Sequence, residues 1–440
     1  MAEATALNVL DRALVGLVDR RVGVISKIEE APCEAGDPDF FHLSAEPCNT
    51  RAFSRQGNFR SAAGASTSRA VAVAKAVGEA VERYCAAIFE IEELPLACAA
   101  DAPFPCVDPA GFALYSRAQY AEQDFPFVPF TEATPVRWTP ALDWATDQVV
   151  WVPAARVFIP YTYYLATGDQ PIGQPISTGL ACHTSLAEAA IGAICETIER
   201  DSVTITWQAM LAMPQIEVDT LSASNRDRID RFERTGNVVT ILDIRLDIEV
   251  PTVLSVLRNV SEATPALVVA ASADPDPEAA VRKSLEELEH TRHYAQYMKS
   301  HIPRLEGGAA AVTAQLDHLN YFCDDARVAE AEFLLASHKR LSFAELPTLR
   351  EPTSGATLDA LAARVEAAGE RVLLADVTTD DIRPLGLAVV RAMVPGLHPL
   401  GMGYKLRALG GSRLWEVPQR LALGGITRET GDNPAPHPYP

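Results

Sequence analysis

Two segments of the chain repeat one arrangement of charged residues. Residues 76–83 and 193–200 align without gaps, and each places Glu at one position, Glu three residues later and Arg directly after it, among mostly small or apolar residues. Helical spacing puts these side chains on one helix face. Two such helices facing each other would present four carboxylates as a cage for hard cations, with two arginines within reach of phosphate oxygens. The residues concerned are Glu79, Glu82, Glu196 and Glu199, with Arg83 and Arg200.

Spacing alone leaves a second interpretation open. A single Glu-x-x-Glu-Arg sequence is usually a solvated helix face with ion pairs between residues four apart. Duplication inside apolar helices favours a binding role, because two carboxylates on one face repel each other unless a cation neutralises them. A third charged helix adds Arg282 and Glu286 at four-residue spacing. Farther along it, His290 and His293 are either metal ligands or part of a solvated face.

These charged residues need long helices to carry them. The sequence predicts helices over residues 69–89, 185–212 and 277–298. Ser185 is the expected N-cap of the second helix, since Glu188 follows it in the capping-box pattern. Strand-like runs occupy residues 148–161, 238–244, 251–256, 266–271, 371–377 and 387–394, whereas residues 29–68 are expected to be irregular. The mixture predicts an α/β or α+β fold with long helices packed on a mixed β-sheet.

Composition excludes several classes of function. The chain has 440 residues and a formal net charge of -20, which argues against binding to nucleic acid or to an anionic membrane. Its eight cysteines include no Cys-x-x-Cys pair, as expected for reduced thiols. We find neither a signal peptide nor a membrane-spanning run. The expected location is therefore the cytoplasm.

At the charged helices the chain resembles the YcaO family. The family's first motif is similar to residues 74–83, Ala-Lys-Ala-Val-Gly-Glu-Ala-Val-Glu-Arg. Its second resembles three segments: residues 178–181, Thr-Gly-Leu-Ala, residues 186–189, Leu-Ala-Glu-Ala, and residues 196–201, Glu-Thr-Ile-Glu-Arg-Asp. Its third resembles the Arg282/Glu286 pair. Residues 394–400 and 413–418 also look like family segments. The resemblance covers nearly the whole chain, most strongly residues 60–300 and from 370 onward.

The resemblance implies ATP and Mg²⁺ as cofactors and a YcaO-type fold. Carried over position by position, the metal ligands would be Glu79, Glu82, Glu196 and Glu199. The nucleotide would be bound by Arg83, Thr184, Glu188, Arg200, Arg282 and Glu286. The corresponding segments are an N-terminal subregion over 1–60, a YcaO catalytic domain over 61–430 and a Pro-rich tail over 431–440 that reaches the active site.

The chain departs from the family pattern at four places. Lys75 replaces a Ser, Ala65 replaces the Lys of a Gly-Lys-Gly sequence, Thr178 replaces an Asn, and His183 replaces the Gly of an Ala-Ala-Gly sequence. Because these departures concern the phosphate contacts, they leave open a shifted binding mode or weak activity without a partner. Lys75 and Ala65 also leave open a subunit that binds ATP without turnover.

The chain ends Pro-His-Pro-Tyr-Pro over residues 436–440. Alternating prolines favour an extended conformation at low entropic cost. The ordinary interpretation is a frayed terminus. The Pro-x-Pro-x-Pro ending also resembles that of azoline-forming members of the family, in which the tail enters the active site. That resemblance implies a catalytic role for the terminal carboxylate of Pro440.

The implied activity is that of the D protein in the biosynthesis of thiazole/oxazole-modified peptides, such as microcins and other bacteriocins. An ATP-dependent cyclodehydratase would convert Cys, or Ser and Thr, of a ribosomal precursor peptide to thiazoline or oxazoline by phosphorylating the amide oxygen. The alternatives are a thioamide- or amidine-forming relative, and a non-catalytic ATP-binding subunit of a peptide-modifying complex. The expected partners are the precursor peptide, a leader-binding ThiF-like protein, a flavin dehydrogenase and a second copy in a homodimer.

Overall fold

The computed structural model describes residues 2–34, 36–259, 261 and 264–439. Its helices are α1 (Ala2–Leu17), α2 (Arg69–Ala86), α3 (Arg117–Tyr120), α4 (Leu186–Gln208), α5 (Ala223–Glu233), α6 (Pro277–His301), α7 (Gln315–Phe322), α8 (Ser354–Ala367) and α9 (Arg413–Arg420). Its strands are β1 (Ile25–Ala31), β2 (Phe41–Pro47), β3 (Ala62–Ser66), β4 (Leu96–Ala97), β5 (Val136–Asp143), β6 (Gln148–Pro153), β7 (Leu180–His183), β8 (Gln215–Ile216), β9 (Val238–Asp243), β10 (Thr252–Arg258), β11 (Leu267–Ala273), β12 (Arg340–Leu341), β13 (Leu373–Asp376) and β14 (Ala388–Met393). The three predicted long helices are confirmed as α2, α4 and α6.

The chain divides into two compact units. Unit 1 comprises Met1–Ala31, Phe41–Thr197 and Glu351–Gly396, and unit 2 comprises Pro32–Phe40, Ile198–Arg350 and Leu397–Pro440. The division falls within α4, so that Glu196 belongs to unit 1 and Glu199 to unit 2. It is a division by packing, and the predicted segments 1–60, 61–430 and 431–440 stay predictions.

The first sheet of unit 1 has the order β1-β2-β3, with antiparallel neighbours. Helix α2 packs against β2 and β3 through a face of small side chains that includes Ala72 and Ala76. A Cβ at Gly64 would lie 2.4 Å from the Cβ of Lys75 and 2.7 Å from the carbonyl oxygen of Ala72. Glycine is therefore required at position 64, because it lets the helix approach the strand closely.

The prediction that residues 29–68 are irregular is wrong. Strands β2 and β3 lie wholly in this range and β1 ends in it, and β3 consists of Ala, Ala, Gly, Ala and Ser, which have little intrinsic preference for strands. Strand pairing and the packing of α2 stabilise these strands. Local composition gave no sign of either contribution.

The second sheet of unit 1 has the order β4-β5-β13-β14-β7, and β6 pairs with β5. All its neighbouring strands are antiparallel. Strand β14 is buried at all six positions, although one of them is the charged Arg391. The guanidinium of Arg391 is therefore a buried positive charge in the interior of unit 1.

The sheet of unit 2 has the order β11-β10-β9-β8-β12. The β8–β12 pair is parallel and the other pairs are antiparallel, so this sheet is mixed. Helix α6 packs on β10 and β11, where the hydroxyls of Ser255 and Ser284 are 2.7 Å apart. Long helices on a mixed sheet confirm the predicted α+β class.

The eight cysteines are free thiols. Among the described residues, no helix is both long enough and apolar enough to cross a lipid bilayer.

A buried group of charges in unit 2 surrounds Asp201. Arg413 donates hydrogen bonds to Asp201 (2.8 Å) and to Asp247 (2.7 Å). The backbone N–H of His398 donates to Asp201 (2.9 Å), and the Nε2 atom of His398 accepts from the N–H of Leu414 (3.0 Å). Because Nε2 accepts, the imidazole is neutral, and burial lowers the pKa of His398 to about 4.

Protonation of His398 gives the free energy of unfolding a defined pH dependence. Between about pH 6.5 and about pH 4 the unfolded chain binds a proton at this residue and the native state does not, so that stability falls by about 1.4 kcal/mol per pH unit as the pH is lowered. We expect His398→Gln, whose amide oxygen can accept from Leu414, to show a shallower loss. Urea unfolding at several pH values measures this slope. The exposed His338→Gln variant should keep the wild-type slope, and equal slopes for all three proteins would contradict the assignment.

Candidate active site

Three glutamates of the repeated motif share one feature in unit 1: a carboxylate oxygen accepts a hydrogen bond from a backbone N–H. The pairs and their nitrogen–oxygen distances are Ala63 to Glu79 (2.7 Å), Cys182 to Glu82 (2.7 Å) and Gly179 to Glu196 (3.0 Å). The donors lie in β3, in β7 and in the turn before β7, and both strands are sheet edges. Outward N–H groups of an edge strand have no strand partner, and here they orient carboxylates.

The carboxylates are crowded. The loss of hydration around Glu82 raises its pKa well above the usual value, and the negative charges of Glu196 and Glu79 raise it further. A hydrogen bond from Cys182 and the charge of Arg83 act in the opposite direction. Oxygen donors with an excess of negative charge are the ligands that Mg²⁺ uses, and a divalent cation would relieve this repulsion. These residues therefore fit the chemistry of a Mg²⁺ ion.

Gly179 occupies a position that only glycine can take. Its φ is +84°, and a Cβ would lie 2.3 Å from the carbonyl oxygen of Ala392 and 2.8 Å from Thr197. The N–H of Ala392 donates to the carbonyl oxygen of Gly179 (2.7 Å), which fixes this turn against β14. This turn fixes the position of the Gly179 N–H, which donates to the carboxylate of Glu196. The motif glycine thus has a structural role in orienting a predicted metal ligand.

Arg391 is a residue near this site that sequence reasoning missed. It is 4% exposed, and its guanidinium donates to the carbonyl oxygens of Arg156 (2.9 Å), Ser177 (2.7 Å) and Ile176 (2.7 Å). Burial lowers its pKa to about 10, and the charge of Glu196 opposes this shift. Arg391 anchors the segment that ends at Gly179. The only signal in the sequence was one charged residue within the apolar run Ala-Val-Val-Arg-Ala-Met.

Arg83 is paired within its own helix. Its guanidinium forms an ion pair with Glu79, donates to the carbonyl oxygen of Ser61, and lies 5.2 Å from the ring centre of Phe59. The structure therefore places Arg83 beside Glu79, and its charge also acts on Glu82. Its predicted contact with nucleotide stays a prediction.

Glu188 and Thr184 lie at the start of α4. The hydroxyl of Ser185 accepts from the N–H of Glu188 (3.2 Å), as the N-cap prediction required. The carboxylate of Glu188 accepts from the hydroxyl of Ser354 in α8 (2.5 Å). The hydroxyl of Thr184 is 3.3 Å from Nδ1 of His183. The predicted nucleotide contacts of both residues stay predictions.

The fourth glutamate of the motif, Glu199, lies in unit 2 and is 8% exposed. It also accepts from the N–H of an edge strand, here Ala273 of β11 (3.4 Å). Its other oxygen accepts from the hydroxyl of Tyr439 (2.6 Å), and Nε of Arg200 lies 3.4 Å from the same oxygen. Burial and the charge of Glu199 raise the pKa of Tyr439 well above its usual value, so the hydroxyl keeps its proton.

A second charged group of unit 2 surrounds Glu286 on α6. The side chain of Glu286 is 1% exposed and lies 3.2 Å from Arg282 and 3.7 Å from Arg228. Two guanidinium groups beside one carboxylate leave a net positive charge, which suits phosphate oxygens. Arg228 was missed, because nothing in the local sequence of α5 relates it to Glu286.

The tail is packed against unit 2. Asn433, Ala435, His437 and Tyr439 are buried, and the ring of His437 stacks on that of His318 with centres 3.8 Å apart. The expectation of a frayed terminus does not hold for residues 433–439. Pro440, the predicted catalytic carboxylate, lies outside the described residues.

Among the residues that the structure describes, no three His, Cys, Asp or Glu side chains are grouped so as to hold a metal ion. His290 is 3.4 Å from the carboxylate of Glu287 on its own helix. The metal set of Glu79, Glu82, Glu196 and Glu199 includes residues of both units and stays a prediction.

Comparison with known proteins decides the family. The family model described as YcaO cyclodehydratase, ATP- and Mg²⁺-binding, matches residues 63–398. The chain belongs to the YcaO family. The predicted cofactors, ATP and Mg²⁺, are confirmed as those of the family. An uncharacterized protein of Methanothermobacter thermautotrophicus is 26% identical to this YcaO chain over 286 residues, covering 62% of this chain and 70% of the relative.

Solved structures confirm the YcaO fold. A heterocyclase in complex with substrate and cofactor superposes with a TM-score of 0.82 at 19% identity, covering 98% of this chain and 57% of its own. The heterocyclase TruD gives a TM-score of 0.67 at 20% identity, with 82% and 50% covered. YcaO from Methanopyrus kandleri, bound with AMPPCP and Mg²⁺, gives 0.62 at 21% identity, with 90% and 91% covered. The chain thus spans only about half the length of the first two heterocyclases.

The crowding of carboxylates makes a prediction about Glu82→Gln. The amide oxygen of Gln can still accept from Cys182, and the variant removes a charge that burial and two neighbours disfavour. We therefore expect its melting temperature to equal or exceed that of wild type, whereas the stabilisation by Mg²⁺ and AMPPCP is lost. Thermal unfolding with and without both ligands measures this. Glu93→Gln, an exposed charge of the same unit, should melt and respond like wild type. A normal ligand response of Glu82→Gln would contradict the role of Glu82.

Proposed function

We propose that this chain catalyses the ATP- and Mg²⁺-dependent cyclodehydration of Cys, or of Ser and Thr, in a ribosomal precursor peptide. The product is a thiazoline or oxazoline ring. The observation that carries the proposal is the crowding of Glu79, Glu82 and Glu196, each oriented by a backbone N–H. Partly buried carboxylates that repel one another are typical of sites that bind a cation.

The proposed reaction balances without an oxidant or reductant. The side-chain thiol or hydroxyl adds to the preceding amide carbonyl, and the resulting oxyanion takes the γ-phosphoryl group of ATP, releasing ADP. The carbon–oxygen bond then breaks, phosphate leaves, and the amide nitrogen loses its proton to give the C=N bond of the azoline. The peptide loses one water in total, whose oxygen is carried away in phosphate.

The residues of the chain have distinct proposed roles in this reaction. Glu79, Glu82, Glu196 and Glu199 would hold Mg²⁺, and the charge of the ion would supply electrostatic stabilisation of the transferring phosphoryl group. Arg83, Thr184, Glu188, Arg200, Arg282 and Glu286 bind and orient ATP. The geometry adds Arg228, which shares the carboxylate of Glu286 with Arg282. Most of the catalysis in such a site is alignment and electrostatic stabilisation.

The proposed partners follow from similar proteins. The E. coli microcin synthetase McbBCD complex with pro-MccB17 bound superposes with a TM-score of 0.61 at 14% identity, covering 96% of this chain and 99% of its own. That likeness supports a precursor peptide and a multi-protein complex for this chain. Within such a complex we propose the partners that the family resemblance implies: a leader-binding ThiF-like protein, a flavin dehydrogenase and a second copy of this chain in a homodimer. We place the reaction in the biosynthesis of a microcin-like peptide in the cytoplasm.

The proposed function predicts phosphate release coupled to the loss of one water from the peptide for each ring formed. The assay combines the chain, its partner and the precursor peptide encoded beside its gene, and it follows phosphate and peptide mass together. We expect Glu79→Ala and Glu199→Ala to reduce both signals to background, because each removes a metal ligand, while their circular dichroism stays that of wild type. Glu93→Ala should keep full activity.

The other outcomes separate the alternatives. A peptide product in which sulfur replaces an amide oxygen would identify a thioamide-forming relative. An amidine in a peptide whose Cys side chains stay unmodified would identify an amidine-forming relative. ATP binding without phosphate release above background would identify a non-catalytic subunit. Full activity in Glu79→Ala would overturn the assignment of the site.

A further prediction concerns the carboxylate of Pro440, which we propose positions groups or moves a proton. Residues added after Pro440 would displace this carboxylate, so we expect ring formation to fall by about 100-fold, the usual scale for a positioned proton-transfer group. The melting temperature should change little. The same residues added before Met1 serve as the control. Equal activity of the two extended proteins would exclude a role for this carboxylate.

A further inference from the structure

Tyr439 is fixed in unit 2 by the chain on its N-terminal side. The backbone N–H of Asn433 donates to Gln208 (2.9 Å), its side-chain amide donates to Trp207 (3.1 Å), and the indole N–H of Trp207 donates to Ala435 (3.1 Å). These contacts attach the tail to the end of α4, the helix that carries Glu199 and Arg200. Tyr439 itself is 4% exposed.

One side chain of this tail contacts two consecutive residues of the repeated motif. The hydroxyl of Tyr439 donates to Glu199 at 2.6 Å, and the guanidinium carbon of Arg200 lies 4.6 Å from the centre of the same ring. A short hydrogen bond to a buried carboxylate fixes its orientation. A guanidinium over an aromatic face is held by a cation–π interaction. The hydroxyl and the ring therefore act on different residues.

We propose that Tyr439 is a positioning residue of the metal and nucleotide site, its hydroxyl orienting Glu199 for Mg²⁺ and its ring orienting Arg200 for the phosphates. This inference rests on the proposed function, because it takes Glu199 as a metal ligand and Arg200 as a nucleotide ligand. It assigns a role to a tail side chain, which is separate from any role of the carboxylate of Pro440. Residues that orient a metal ligand typically change metal affinity 10- to 100-fold when they are removed.

Unit 2 contains a matched arrangement that has no proposed role in ligand binding. The hydroxyl of Tyr321 lies 3.1 and 3.0 Å from the two carboxylate oxygens of Glu330, and the guanidinium carbon of Arg327 lies 4.6 Å from its ring centre. Tyr321 is also 4% exposed. Loss of its hydroxyl removes the same kind of hydrogen bond at a different place. Tyr321→Phe therefore separates a local effect on folding from an effect on the site.

The test measures binding of Mn²⁺ and of AMPPCP to the full chain. Electron paramagnetic resonance of free Mn²⁺ gives the metal affinity, and calorimetry at saturating Mg²⁺ gives the AMPPCP affinity. Tyr439→Phe keeps the ring, so we expect Mn²⁺ affinity to fall about 10-fold or more and AMPPCP affinity to stay near wild type. Tyr439→Leu should lower both, with AMPPCP affinity reduced by about 3- to 30-fold. Tyr321→Phe should match wild type in both.

The results distinguish this inference from the proposed function. A wild-type chain that binds neither Mn²⁺ nor AMPPCP would contradict the proposed function itself. Wild-type binding of both ligands together with unchanged Mn²⁺ affinity in folded Tyr439→Phe would overturn the inference alone. An equal loss in Tyr321→Phe would overturn it as well, since the effect would then be one of folding. Tyr439→Met lacks the hydroxyl and the ring and fills the space flexibly, so it decides both parts if another variant fails to fold.

Discussion

All four glutamates of the repeated motif accept a hydrogen bond from a backbone N–H at or beside an edge strand: β3 for Glu79, β7 for Glu82, the turn before β7 for Glu196 and β11 for Glu199. An edge strand presents N–H groups that no neighbouring strand uses, and a carboxylate is their strongest acceptor. The interaction satisfies both groups at once. It also means that each carboxylate is oriented by backbone of a sheet edge or of the turn beside it, which is more rigid than another side chain would be.

This arrangement stabilises a charge distribution that is otherwise unfavourable. Glu82 is disfavoured as an anion by its burial and by Glu196 and Glu79, and a packed helix face does not require charged residues of this kind. Several residues of unit 1 near the site help to position the carboxylates and the N–H groups that donate to them. Gly64 lets α2 approach β3, Gly179 directs its N–H toward Glu196, and Arg391 holds the segment that leads to Gly179. In unit 2, the tail contributes the hydroxyl of Tyr439 to Glu199.

Particular elements show how far the sequence could predict the fold. Helices α2, α4 and α6 have apolar stripes over many turns. Ser185 caps α4 through a hydrogen bond from Glu188, only three residues away. The local sequence pattern was therefore sufficient to predict these three helices. Strands β2 and β3 were missed. Their stability comes from pairing and from the packing of α2, because the residues of β3 have little strand preference of their own.

The sequence by itself determined the type and spacing of the charged residues, the family to which the chain belongs and the helices that carry the motif. Helical periodicity and motif spacing are local properties, and they survive without knowledge of the fold. The tertiary structure alone decided which backbone N–H each carboxylate accepts, that Arg391 and Arg228 lie beside predicted site residues, and that Tyr439 reaches Glu199. Tyr439 and Glu199 are 240 residues apart in the chain. No local pattern relates residues at such separation, because only packing of the chain brings them within hydrogen-bond distance.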